Sequence, residues 1–219
     1  MTITIKFNDD IIHQYNSFKK ILKLDNYNDI SYIDCSSNRL SSLPELPNLL
    51  TSLWCSNNNL SSLPELPNSL TKLHCNNNNL SILPELPNSL IYIWCYSDNI
   101  FRLPELPNSL KTLYCSYNSI SSLPELPNSL EILNCGYNNL YMLPKLPNSL
   151  IGFEYYDNPI YTHIEKYFNS ETKKYFEYKI KLQRIFANKI GNWYLDCKYN
   201  PKYLYCRKRL MKEYDELYN

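Results

Sequence analysis

Glycine is nearly missing from this sequence, with three residues in 219 against fourteen prolines. Rossmann and P-loop proteins wrap phosphate in a glycine-rich turn at a helix N-terminus, and no segment here supplies one. No apolar run approaches the roughly 18 residues of a membrane span, so neither a transmembrane helix nor a membrane partner is expected. The opening MTITIKFNDD has no basic n-region and no apolar h-region, so a secretory leader is not expected either. The formal charge is +1, which gives no global pull towards nucleic acid or anionic lipid. Eight cysteines are present, but never at the C-x2-C spacing of a zinc site, and no metal or cofactor is expected. Disorder is excluded by a hydrophobic share of 44% and aromatics at 14%.

What the chain does have is a repeat. LPELPNLL at 43–50 returns as LPELPNSL at 63–70, 83–90, 103–110 and 123–130, then as LPKLPNSL at 143–150. Between these blocks runs L-x-x-L-x-C-x-x-N-x-L, as in Leu50, Leu53, Cys55, Asn58 and Leu60. A fixed twenty-residue period marks a solenoid, whose units each bury an apolar face only by stacking on the next. Residues 30–160 resemble the leucine-rich-repeat family in its short form, the kind carried by YopM-like and IpaH-like bacterial effectors. That resemblance implies an α/β-type solenoid with a parallel sheet on a concave face, and a role in recognising protein.

The local chemistry makes its own predictions. Alternation around Leu53 and Cys55 points them inward and leaves Ser52, Trp54 and Ser56 outward. Leu60, Leu63 and Leu66 fill the rest of the coil. The prolines at 44 and 47 recur every cycle; they forbid a helix on the return and suit an extended, polyproline II back. Asn38, Asn58, Asn78, Asn118, Asn138 and Asn158 form a ladder whose amides can satisfy backbone groups where the chain leaves the strand. Asp98 interrupts it. An ionised carboxylate accepts but cannot donate, so the fourth cycle is predicted to be the weakest joint. Cys35, Cys55, Cys75, Cys95, Cys115 and Cys135 are read as small buried apolar groups rather than as chemistry, in a reducing, intracellular setting. Glu45, Glu65, Glu85, Glu105 and Glu125 form an acidic row, ended by Lys145, that repulsion keeps in water.

The ends differ from the middle. Residues 1–29 read as an N-terminal cap, with a strand around Ile3, Ile5 and Phe7. A helix then follows, capped by Asp9 or Asp10 and carrying Ile11, Ile12, Tyr15, Phe18, Ile21 and Leu22. Residues 161–219 hold 13 Lys and Arg against 7 Asp and Glu, a net of +6, and read as a basic helical region. One helix is predicted to open at Asn169 or Ser170, and another at Asn200-Pro201. The run KIGNWYLDCKYNPKYLYCRKRLMKEYDELYN resembles tail segments of proteins from giant amoeba-infecting viruses, which would place the chain in a host cytoplasm.

Function is expected on the outward strand positions, which vary while the inward ones repeat. Trp54, His74, Trp94 and Tyr114 succeed one another at the middle position, with Tyr92 and Tyr96 beside them. Large rigid aromatics with one polar handle are enriched in binding hot spots. These six residues are the predicted contact set for a protein partner of unknown identity; no small-molecule substrate is expected. The resemblance implies a second reading, the recognition part of a ubiquitin-ligase-like effector. Cys197, however, sits in LDCKYNP without that family's catalytic sequence, and no enzyme activity is expected. A third reading has the basic C-terminal helices, with Arg207, Lys208 and Arg209 in line, bind nucleic acid.

Overall fold

The computed structural model describes residues 1–8 and 11–168, with side chains through residue 165. The chain divides into two compact units, Met1–His163 and Ile164–Asn219, and the description below concerns the first. The helices predicted from residue 169 onward, Cys197, Cys206, the Arg207–Arg209 cluster and the Asp9 and Asp10 cap lie outside the described residues.

Seven strands of three residues recur every twenty positions: β3 Tyr32–Asp34, β4 Ser52–Trp54, β5 Lys72–His74, β6 Tyr92–Trp94, β7 Thr112–Tyr114, β8 Ile132–Asn134 and β9 Gly152–Glu154. They pair in parallel and in one register, so that Leu53 faces Leu73 and Trp54 faces His74. Between successive strands the chain completes one coil, six coils in all. The register follows from the sequence, because a one-residue slip would turn every leucine and thiol outward. Leu53, Leu73, Ile93, Leu113 and Leu133 are fully buried, as are the cysteines two residues after them. No helix occurs over the proline-bearing returns. Each return ends in a tight turn closed by a backbone bond such as Leu70 N–H to Pro67 O, 3.0 Å. The acidic row and Lys145 are exposed.

The N-terminal segment extends this sheet, with one correction to the expected elements. Strand β1, Ile3–Lys6, pairs antiparallel with β3 and buries Ile3 and Ile5 completely. The predicted helix from residue 11 is instead mostly strand. β2, Ile12–Tyr15, lies antiparallel on the free edge of β1, and helix α1 is a single turn, Phe18–Ile21. A helix there would need a layer to cover its stripe, yet Ile11 and Ile12 are 57% and 59% exposed. The β-branched pair gains more from pairing with the open edge of β1. Phe7, expected in the same strand as Ile3 and Ile5, lies past the end of β1 and packs edge-on against His13.

A helix not singled out in the sequence stands at the other end. Helix α2 spans Pro159–Phe168, ahead of the helix predicted to open at Asn169 or Ser170, which lies outside the described residues. Its signal was present as Asn158-Pro159, a proline at the first helical position where no N–H partner is needed.

Candidate interaction face

The three-residue strands bury their middle residue and present the two that flank it, except that Thr112 is also buried and Phe153 is only half-buried. With all strands in register, position 54 and its equivalents form one row across the sheet, and position 52 and its equivalents form another. The first row is an aromatic stack. Trp54 and His74 lie 4.3 Å apart at 22°, His74 and Trp94 3.9 Å at 17°, and Trp94 and Tyr114 6.0 Å at 5°. Tyr92, from the other row, adds to Trp94 at 5.8 Å. Because the stacking axis runs across the strands, the rings cover one another's faces and turn their rims to solvent. Trp54 remains 38% exposed.

Five of the six predicted contact residues are therefore joined in one array. Tyr96 is half-buried two residues past Trp94, and the ring contacts that join the others do not extend to it. Two members escaped the prediction. Tyr32 continues the array onto Trp54 at 6.1 Å, and Lys6 lies over the Tyr32 ring at 5.4 Å. Alternation in SYIDC places Tyr32 outward just as it places Ser52, so the signal was available. Lys72 sits over Tyr92 at 5.9 Å. Burial between two indoles lowers the His74 pKa, Lys72 lowers it further, and Asp34 partly opposes them. The stack thus surrounds a neutral imidazole.

A second aromatic group stands on the loops beyond the strands. Tyr117 and Tyr137 stack at 4.2 Å, and Tyr156 meets Tyr137 edge-on at 5.2 Å. Both stacked tyrosines have left-handed backbones, φ 53° and 52°, at a position held by Asn57 and Asn77 in earlier coils. Asparagine tolerates that region readily and tyrosine does not. Gly136 admits the Tyr156 ring, since a Cβ there would stand 3.2 Å from it.

Beneath the face, hydrogen-bonded ladders hold the coils at a fixed spacing. Asn58 Nδ2 donates to the carbonyls of Cys35, Cys55 and Ser56, while its Oδ1 accepts from the backbone N–H of Asn38 and Leu40. Ser56 is a correction to the alternation: it is buried rather than outward, and its hydroxyl donates to Asn76 Oδ1 at 2.7 Å. The chain has already left the strand at that point, so period two no longer applies. A further ladder was not foreseen. The hydroxyls of Ser69, Ser89, Ser109, Ser129 and Ser149 donate to the carbonyls of Leu50, Leu70, Leu90, Leu110 and Leu130. The six ladder cysteines are free and buried, and burial raises their thiol pKa values, to about 12 at Cys35 and Cys135. Among the described residues no cluster of three or more His, Cys, Asp or Glu could hold a metal ion.

In-register short strands, helix-free returns and an interior of leucines, thiols and asparagine amides define a parallel-strand repeat solenoid. The family model described as Leucine Rich Repeat matches residues 109–128. Among solved structures the chain is similar to YopM, a leucine-rich effector protein from Yersinia pestis, with 43% identity and a TM-score of 0.56. It is also similar to the leucine-rich-repeat domain of a Shigella effector, with 39% identity and a TM-score of 0.58. The first likeness covers 58% of this chain and 37% of YopM; the second covers 64% of this chain and 62% of the Shigella domain. The chain thus spans less than two thirds of either relative. No curated protein matches the sequence. Repeat, fold and these likenesses together give residues 30–160 the short, twenty-residue form of the leucine-rich-repeat solenoid.

Proposed function

We propose that the chain binds a protein partner through the outward face of its sheet, with Trp54, His74, Trp94, Tyr114 and Tyr92 as the central contacts and Tyr96 at the margin. The observation that carries this reading is the continuous stack. Its rings are immobilised by one another before any partner arrives, so a partner meets a rigid surface and little side-chain entropy is lost on binding. The exposed rims offer apolar edge together with the polar handles of indole, imidazole and phenol, the mixture typical of hot spots. The likeness to effector repeats points to the same class of role. The chain's partner would be read by shape and by these handles rather than by charge, since the stack itself carries none.

Because the stack also braces the sheet, the test separates binding from folding. Immobilised wild type and Trp54→Ala/Trp94→Ala are compared for specific protein capture by quantitative mass spectrometry, with unfolding curves measured alongside. A folded double variant that loses the captured protein supports the reading. Equal recovery by both overturns it.

A further inference from the structure

One rung of the asparagine ladder is chemically different, and the other rungs serve as its controls. In the next coil Asn118 Nδ2 donates to the carbonyls of Cys95, Cys115 and Ser116 at 2.8, 3.1 and 3.2 Å. Asn58, Asn78, Asn138 and Asn158 each do the same to their own three carbonyls. Residue 98 is Asp. Its Oδ1 plays the usual part, accepting from the N–H groups of Asn78 at 2.9 Å and Leu80 at 3.2 Å. Its Oδ2 stands where the other coils have an NH2 group, and it has no hydrogen-bond partner although Asp98 is only 8% exposed. By the repeat, that oxygen confronts the carbonyls of Cys75, Cys95 and Tyr96, acceptor against acceptors.

We propose that Asp98 is a proton-operated joint between the coils that carry His74 and Trp94. When protonated, Asp98 donates from Oδ2 to one of the facing carbonyls and restores the missing rung. When ionised, it leaves a buried negative charge against carbonyl oxygens and weakens the contact between coils. This goes beyond the binding role and does not depend on it, although the joint links the same two coils that carry the His74–Trp94 stack.

Burial pushes the Asp98 carboxyl up to about 7, with the N–H groups of Leu80 and Asn78 pulling it back. The titratable groups facing it from the packed strands are the thiols of Cys55, Cys75 and Cys95, which burial keeps uncharged near neutrality. His74 lies on the opposite face of the sheet. The folded chain therefore holds a proton that the unfolded chain, with an ordinary carboxyl near 4, releases. The stabilisation is complete below about pH 4 and is lost as pH rises to about 7.

The test uses the full chain and Asp98→Asn, which installs the residue found in the other coils. Urea unfolding is followed from pH 4.5 to 7.5. The ratio of unfolding constants, wild type over variant, is expected to rise at least tenfold across that range, under a one-proton ceiling of about tenfold per pH unit. Every other titrating group is common to both chains and cancels. Carbon-13 NMR of the wild-type Asp98 carboxyl should show a midpoint near 7, and at pH 7.5 a thiol reagent should label Cys75 and Cys95 faster in wild type than in the variant. A carboxyl midpoint near 4, a ratio that does not change with pH, or equal labelling would each overturn the joint.

Discussion

The two faces of the same sheet obey one register but tolerate different chemistry. Inside, most coils repeat nearly the same answer: a leucine or isoleucine, a thiol, and an asparagine amide that serves four or five backbone groups. Outside, the row running through Trp54 passes from Asp34 to Trp, His, Trp, Tyr, Asn and Glu without disturbing the strands that carry it. The interior varies little, with Asp98 its departure in the ladder, because buried N–H and C=O groups must be paired. The outer row can vary because water completes whatever the neighbours leave unpaired. A stack of aromatics is thus a choice the outer face makes freely, whereas the asparagine ladder is imposed.

This contrast sets an order of effects. Asn58→Ala should do the greatest damage, since it leaves the N–H groups of Asn38 and Leu40 without partners and takes one of two donors from each of the carbonyls of Cys35, Cys55 and Ser56. At about 1–3 kcal/mol per buried orphan, and with partial relaxation, the urea unfolding free energy should fall by about 4 kcal/mol. Leu73→Ala opens a cavity and should cost about 3 kcal/mol by the same measurement. Trp94→Ala removes stacking with His74, Tyr92 and Tyr114 but opens no cavity. It should cost about 1–2 kcal/mol, and a Trp94→Phe control should recover most of that. A Trp94→Ala loss as large as that of Asn58→Ala would erase the distinction between the faces.

Smaller effects sharpen the outer side. The His74 pKa is lowered by burial and by Lys72, so below its usual range the unfolded chain takes up a proton that the folded chain refuses. Stability should therefore drop as pH falls through that window, and His74→Phe should abolish that part of the acid sensitivity in thermal melts at pH 7.5 and 5. The sign is opposite to that expected for Asp98, one group lying on each face. Smallest of all, Lys111→Met breaks the exposed pair with Glu131 at 2.9 Å and should leave the urea midpoint unmoved at ordinary salt.

Much of this architecture could be read from spacing alone. Period twenty placed the strands, and period two within SLWCS told Leu53 and Cys55 from Trp54. The amide's two donors and one acceptor explained why Asn, and not Asp, recurs. Reading failed wherever periodicity stopped. Ile11 and Ile12 look like a helical stripe until the open edge of β1 is known to lie beside them, and that edge is a tertiary fact. Ser56 follows the strand pattern by position but not by geometry, because the chain turns at Cys55. The serine ladder hid inside the repeated PNSL block, whose one departure, Leu49, is 48% exposed. The aromatic stack was legible as a row of residues. Its face-to-face packing was not, because ring orientation depends on χ angles that spacing does not determine.

The N-terminal β1–β2 pair has its own consequence. Identical coils could in principle add end to end across molecules, one chain's first strand accepting another's last, and near-identical repeats would give such a filament no natural stop. Here the N-terminal end is covered by the β1–β2 pair, whose residues carry none of the twenty-residue pattern, and Thr2 fills the Asn38 amide through two bonds of 2.8 Å. A neighbouring molecule finds neither the first repeat strand nor an unsatisfied Asn38 amide open at that end, so the repeat that builds the fold is kept from polymerising it there.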